Sequence, residues 1–175
     1  KDIANEMQKF YDDWWEEASK EFKYSYIDIY PNITNTITAH DVQVNSITAW
    51  DQSVIRKGIP YELGKFNVDF KKSGEYKITL RRWPKESNLN LRDGIDDYIP
   101  AKKYWDQQSS GKSMNIASAF IKIGNKEYKV DLSDNLKTAS INIDISSGKT
   151  SLEPGFILDN GETSTAFYTD IDFLF

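Results

Sequence analysis

The side chains in this sequence that could do chemistry are few. The single histidine, His40, is followed by Asp41, but no Gly-x-Ser-x-Gly turn presents a nucleophile to them. His40 therefore reads as a structural or solvent-exposed residue. "SSGKS", Ser109 to Ser113, copies the end of a phosphate-binding loop, yet the position five before Gly111, which the loop needs as glycine, holds Asp106. "RDGIDD" offers Asp93, Asp96 and Asp97 as oxygen ligands for calcium without the acid, glycine and glutamate spacing of an EF-hand. A loop calcium stays open. No two carboxylates are marked as convergent across a cleft, as glycoside cleavage requires. Cysteine is absent, which removes disulfides, thiolate ligands and a cysteine nucleophile. No catalytic or metal-ligating residue is expected.

What remains is "GEYKITLRRWPKES", Gly74 to Ser87, where a strand pattern ends in Arg81-Arg82-Trp83-Pro84. Alternation puts Arg82 on the face of Tyr76, Ile78 and Leu80, and puts Arg81 and Trp83 on the other. Pro84 then stops the ladder, having no N–H to donate. Three roles fit. Trp83 could cover the end of a core while Arg82 meets a carboxylate. Both could anchor a docking surface, since Trp and Arg are favoured there. Or both could hold a sulfated or acidic sugar by bidentate hydrogen bonds and indole stacking. Trp50, Gln52 and Arg56 in "WDQSVIRKG" divide in the same way.

The elements that must carry these residues are legible from periodicity. Ile3, Met7, Phe10, Tyr11, Trp14, Trp15, Ala18 and Phe22 recur at three-and-four spacing with acids opposite, so residues 1–22 are a leading amphipathic helix. A stripe so aromatic must lie on something broad and apolar, a sheet face or a partner. From residue 23 onward the period is mostly 2. Phe66, Val68 and Phe70 alternate with Asn67 and Asp69; Ile141, Ile143 and Ile145 with Asn142 and Asp144; Phe167, Thr169, Ile171 and Phe173 with Tyr168, Asp170 and Asp172. "KKSG" reads as a hairpin turn between the strands "KFNVDF" and "EYKITLRRW", and Gly124-Asn125 as a second one. Residues 84–118 break the alternation as a long loop. One wet face per strand and many short strands give a mainly β chain: an antiparallel, jelly-roll-like β-sandwich behind one N-terminal helix, forming a single domain over 1–175.

Net charge is −5 and no basic run, Arg81-Arg82 included, exceeds two residues, so nucleic acid is not an expected partner. No apolar run approaches the roughly 20 residues that cross a bilayer, and no membrane partner is expected. Opening on Lys1 rather than Met, the chain reads as a processed or excised piece. Exposed aromatics such as Tyr24, Tyr26, Tyr104 and Trp105 would suit a sugar platform if the chain were an autonomous carbohydrate-binding module.

Three segments in this order, "FYDDWWEEASKEF", "ITAWDQSVIRKG" and "GKFNVDFKKSGEYKITLRRWPKES", resemble the C-terminal region of bacterial arylsulfatase-type enzymes of the alkaline-phosphatase-like superfamily. "AFIKIGNKEYKVDL", "ASINIDISSGKTSLE" and "STAFYTDIDF" look like the closing strands of that region, so the resemblance spans most of the chain. "ITAHDVQVNSITAW" follows the family's polar run only loosely. The resemblance implies a C-terminal accessory domain whose partner is the catalytic sulfatase domain of the same parent chain. It also implies calcium in that catalytic domain, sulfated glycans within reach, and a periplasmic or cell-surface setting. Sulfatases of this family mature a Cys or Ser in Cys/Ser-x-Pro-x-Arg. Here the residues two before the five prolines are Ile29, Gly58, Arg82, Tyr98 and Leu152, so this chain alone should be catalytically silent.

Overall fold

Two sheets face each other across a shared apolar core in the computed structural model, which describes residues 2–41, 52–97 and 110–175. The chain begins with helix α1 (Asp2–Ala18), which runs into a 3-10 turn (Ser19–Tyr24). The first sheet has the order β1-β3-β8-β5-β6, with β9 also on β8; the second has the order β2-β10-β4-β7. The strands are β1 (Ile27–Ile29), β2 (Asn35–Thr38), β3 (Phe66–Phe70), β4 (Gly74–Arg81), β5 (Ile116–Ile123), β6 (Lys126–Asp131), β7 (Ala139–Ile145), β8 (Gly148–Leu158), β9 (Thr163–Thr165) and β10 (Tyr168–Phe173). A short helix, α2 (Gln52–Arg56), lies between β2 and β3. All pairings are antiparallel except β1 with β3. The chain is mainly β and sandwich-like, as the alternation requires.

Alternation fixes which residues meet between the sheets. Ile29, Phe66, Val68, Phe70, Leu152 and Phe156 come from the first sheet, and Tyr76, Ile78, Leu80 and Ile171 from the second; all are essentially inaccessible. Tyr76 stands edge-on between Phe70 and Phe173, at ring separations of 5.0 and 5.2 Å. Its hydroxyl escapes the apolar cost of burial by donating to the Lys72 carbonyl at 2.6 Å.

One expected turn is different. β3 and β4 are not a hairpin: they lie in opposite sheets, and "KKSG" carries the chain from one sheet to the other. Phe70 and Tyr76 therefore point at each other across the core rather than sitting side by side. A Gly between two alternating runs marks a change of direction but not its destination. Gly74 also lies where any Cβ would strike the Phe175 carbonyl, because residues 174–175 run beside it. The second expected turn is a true hairpin: β5 and β6 pair directly around Gly124, at φ +55°.

β8 is the spine of the first sheet, and two of its residues are chosen by its neighbours. β3 pairs with Gly148 to Leu152, then β9 takes over at Gly155 to Ile157 along the same edge. Pro154 sits at that handover. Its carbonyl accepts the Ala166 N–H at 3.0 Å, so its missing N–H faces the gap and no ladder bond is lost. At Gly155 the Phe120 ring packs close to the strand, so an added Cβ would fall 2.6 Å from a Phe120 ring carbon and 2.9 Å from the Ser164 carbonyl. Gly155→Ala should cost about 1–3 kcal/mol through overpacking, read from the urea midpoint. Phe120→Leu in the same chain should restore part of it by withdrawing the ring.

Candidate functional site

The end of β4 gathers the residues that the sequence singled out. Arg82 continues the inward face and is 0% exposed. Its guanidinium donates to the carbonyls of Asp93 (3.0 Å), Ile55 (3.1 Å) and Lys112 (2.6 Å). It also lies 4.4 Å over the Trp83 ring, whose Nε1–H donates to the same Asp93 carbonyl at 3.1 Å. Arg82 thus ties the end of α2 and the chain at 93 and 112 to the sandwich. The carboxylate partner expected for Arg82 is not there. Three backbone dipoles take its place, and its Nε has no acceptor. Burial pulls the guanidinium down to about 10, against the opposing pull of the Asp93 charge, so it keeps its proton at neutral pH.

The carboxylate goes to Arg81 instead. Arg81 Nε and a terminal nitrogen each bind one oxygen of Asp170 at 3.0 Å, a bidentate pair with side chains 8% and 9% exposed. Thr36 Oγ1 donates to Asp170 at 2.8 Å, and Arg81 also reaches the Trp83 carbonyl at 3.3 Å. The network crosses β2, β10 and β4 on the outer face of their sheet. Sequence reasoning missed Asp170 because its partner is 89 positions away. The only local signal was that Asp170 and Arg81 both stood on wet faces.

Arg56, 6% exposed, joins the same cluster and donates to the Asp96 carbonyl at 3.4 Å. Gln52 is exposed at the start of α2, and Trp50 lies outside the described residues, as do Tyr104 and Trp105. Tyr26 is half-buried with Lys149 4.5 Å over its ring. Trp83 is 6% exposed beside the fully buried Arg82. His40 is exposed, and its backbone N–H donates to Thr38 Oγ1. Asp93 spends a carboxylate oxygen on the Asn90 N–H at 2.8 Å. Among the described residues no three His, Cys, Asp or Glu side chains cluster as metal ligands, and no helix is long and apolar enough to cross a membrane.

Parallel pairing of β1 with β3 sets Asp28 directly beside Asp69, and Lys71 bridges them at 2.7 and 2.8 Å. The Lys71 hydrogen bond holds Asp28 below its ordinary 3.8, assisted by Tyr30; the two carboxylates, Asp28 first, push Lys71 above its ordinary 10.5. Asp28 therefore contributes stability above pH 3.8 that is lost as pH falls through its depressed value, and Lys71 contributes below pH 10.5 what is lost as pH rises. In Lys71→Met the two carboxylates face each other unbridged, so the acid limb should reverse. Relative to the parent protein, that variant should gain stability as pH falls from about 6 to about 4. Urea midpoints against pH check this.

The remaining feature is α1. None of its residues is buried. Ile3, Met7, Phe10, Tyr11, Trp14 and Trp15 are between 44% and 75% exposed, so the stripe expected to lie on a sheet face or a partner is covered by no sheet face among the described residues. Tyr11 and Trp15 stack nearly parallel at 6.3 Å, and Trp14 sits within 6.0 Å of both. The sandwich behind has a closed core of its own, which is why it does not need the helix.

No protein-family model matches the sequence, and no curated protein matches it. Among solved structures, 84% of the chain superposes on a ruminal GH26 endo-beta-1,4-mannanase at 14% identity and a TM-score of 0.45. The matched part is 27% of that protein's chain, so this chain spans about a quarter of its length.

Proposed function

We propose that the chain is a non-catalytic accessory β-sandwich domain that leans on a partner domain through α1, the partner being the sulfate-ester-hydrolysing domain of an arylsulfatase-type parent. The observation that carries the docking part is the α1 stripe. Ile3, Met7, Phe10, Tyr11 and Trp14 stand more than half exposed beside a sandwich with an apolar core of its own, and contiguous exposed apolar surface of this kind marks an interaction site. The sulfatase part rests on the three resembling segments from Phe10 to Ser87. In this reading the domain shapes or shields the active-site face of its partner and biases it among sulfated substrates. Formylglycine and calcium belong to the partner, and the parent is exported to the periplasm or cell surface.

The role of Arg81, Arg82 and Trp83 is then to hold residues 52–56, 93–96 and 110–112 against the sandwich, not to touch a ligand. Purified chain should leave a chromogenic aryl sulfate intact and give no heat on titration with sulfated or neutral glycans. Turnover of the ester would overturn the reading. Glycan heat in the micromolar range would replace it with a carbohydrate-binding module.

A further inference from the structure

We infer that the surface receiving α1 is a broad apolar groove on a folded protein, with lysines or arginines along one rim only. This rests on the docking reading above and adds the chemistry of the partner. At about 100° per residue, Ile3, Met7, Phe10, Tyr11, Trp14 and Trp15 cover an arc of about 140°. That is wider than the two-position seam of a helix pair, and matches a helix laid into a groove. The two margins of the arc differ. On one, Glu6, Asp13 and Glu17 fall within about 40° of each other, all exposed and none ion-paired among the described residues. On the other stand Gln8 and Asp12, which hydrogen-bond each other at 2.8 Å. Glu16, on the back, is within 3.8 Å of Lys20. Asp12 and Glu16 thus have partners within the helix, whereas Glu6, Asp13 and Glu17 along one edge are left for something else.

A second copy of the chain fits poorly, since an antiparallel pair would set acidic rail against acidic rail. A bilayer fits poorly too, because interfacial helices carry cations on the polar face.

The test uses the whole chain and a probe of the inferred chemistry: a 14-residue amphipathic Leu/Lys model helix, with a Leu/Glu helix of the same pattern as counterpart. Binding is followed by the tryptophan emission shift. The Leu/Lys helix should bind and the Leu/Glu helix should not. Glu6→Gln/Asp13→Asn/Glu17→Gln should weaken binding roughly fivefold or more, and Phe10→Ser/Trp14→Ser should abolish it. Asp131→Asn/Asp144→Asn/Asp159→Asn removes the same charge from exposed positions elsewhere and should change it less than about twofold. Equal loss in that control, equal binding of both helices, or no effect of the rail substitutions would overturn the inference. So would a dimer in sedimentation that Phe10→Ser dissociates, or tighter binding to phosphatidylcholine vesicles than to the Leu/Lys helix. None of these outcomes bears on ester hydrolysis or glycan binding, which test the functional reading separately.

Discussion

Asp170→Ala should destabilise the protein by about 3–5 kcal/mol, because it leaves the Arg81 guanidinium buried without its counter-charge. Both side chains are under 10% exposed, and Asp170 takes three donors: two from Arg81 and one from Thr36. Arg81→Ala should cost a similar amount, for the mirror reason. The pair as a whole is worth far less than either single loss suggests, since burying two charges consumes most of their attraction. Arg81→Ala/Asp170→Ala should therefore cost much less than the sum of the two single alanine variants. A double-mutant cycle in urea measures that coupling. Additive losses would mean that the two side chains are not coupled through the bidentate contact.

The second large effect is at Arg82. Arg82→Met keeps an apolar stem of similar length but strips donors from the carbonyls of Ile55 and Lys112, while Asp93 keeps the Trp83 indole. Two stranded carbonyls cost about 1–3 kcal/mol each, and removing a desolvated charge returns part of that. The net should be a loss of about 2–4 kcal/mol, or roughly 10 °C in melting temperature. Arg82→Lys separates geometry from charge. An ammonium cannot span three carbonyls, and it leaves the buried charge in place, so lysine should be no better than methionine. If lysine restored full stability, charge rather than the planar fork would be what the node needs.

How far the sequence could lead depends on the distance over which each feature is decided. Inward and outward faces are decided residue by residue, so Tyr76, Ile78, Leu80 and Arg82 fell on the face where alternation put them. The partners of those residues are decided by pairings between distant strands. Nothing local told that "KKSG" would cross between sheets, that β1 would run parallel to β3, or that Asp170 would reach Arg81. Arg82 shows a subtler limit. An inward arginine suggests a carboxylate, but backbone carbonyls, which carry no residue-type signal, can satisfy a guanidinium as well. For α1, periodicity located the stripe and charge located the rail, but whether the sandwich would cover the stripe depended on whether its own core was already full.

That last point can be measured directly. If α1 serves a partner outside the sandwich, Phe10→Ser/Trp14→Ser should melt within about 1 °C of the parent protein, with loss confined to helical ellipticity, because a lone helix of this length is marginal in water anyway. If those two rings instead packed on a sheet, their loss would remove about 3–6 kcal/mol of burial and lower the melting temperature by roughly 6 °C or more. A fall of that size would contradict the docking role of α1.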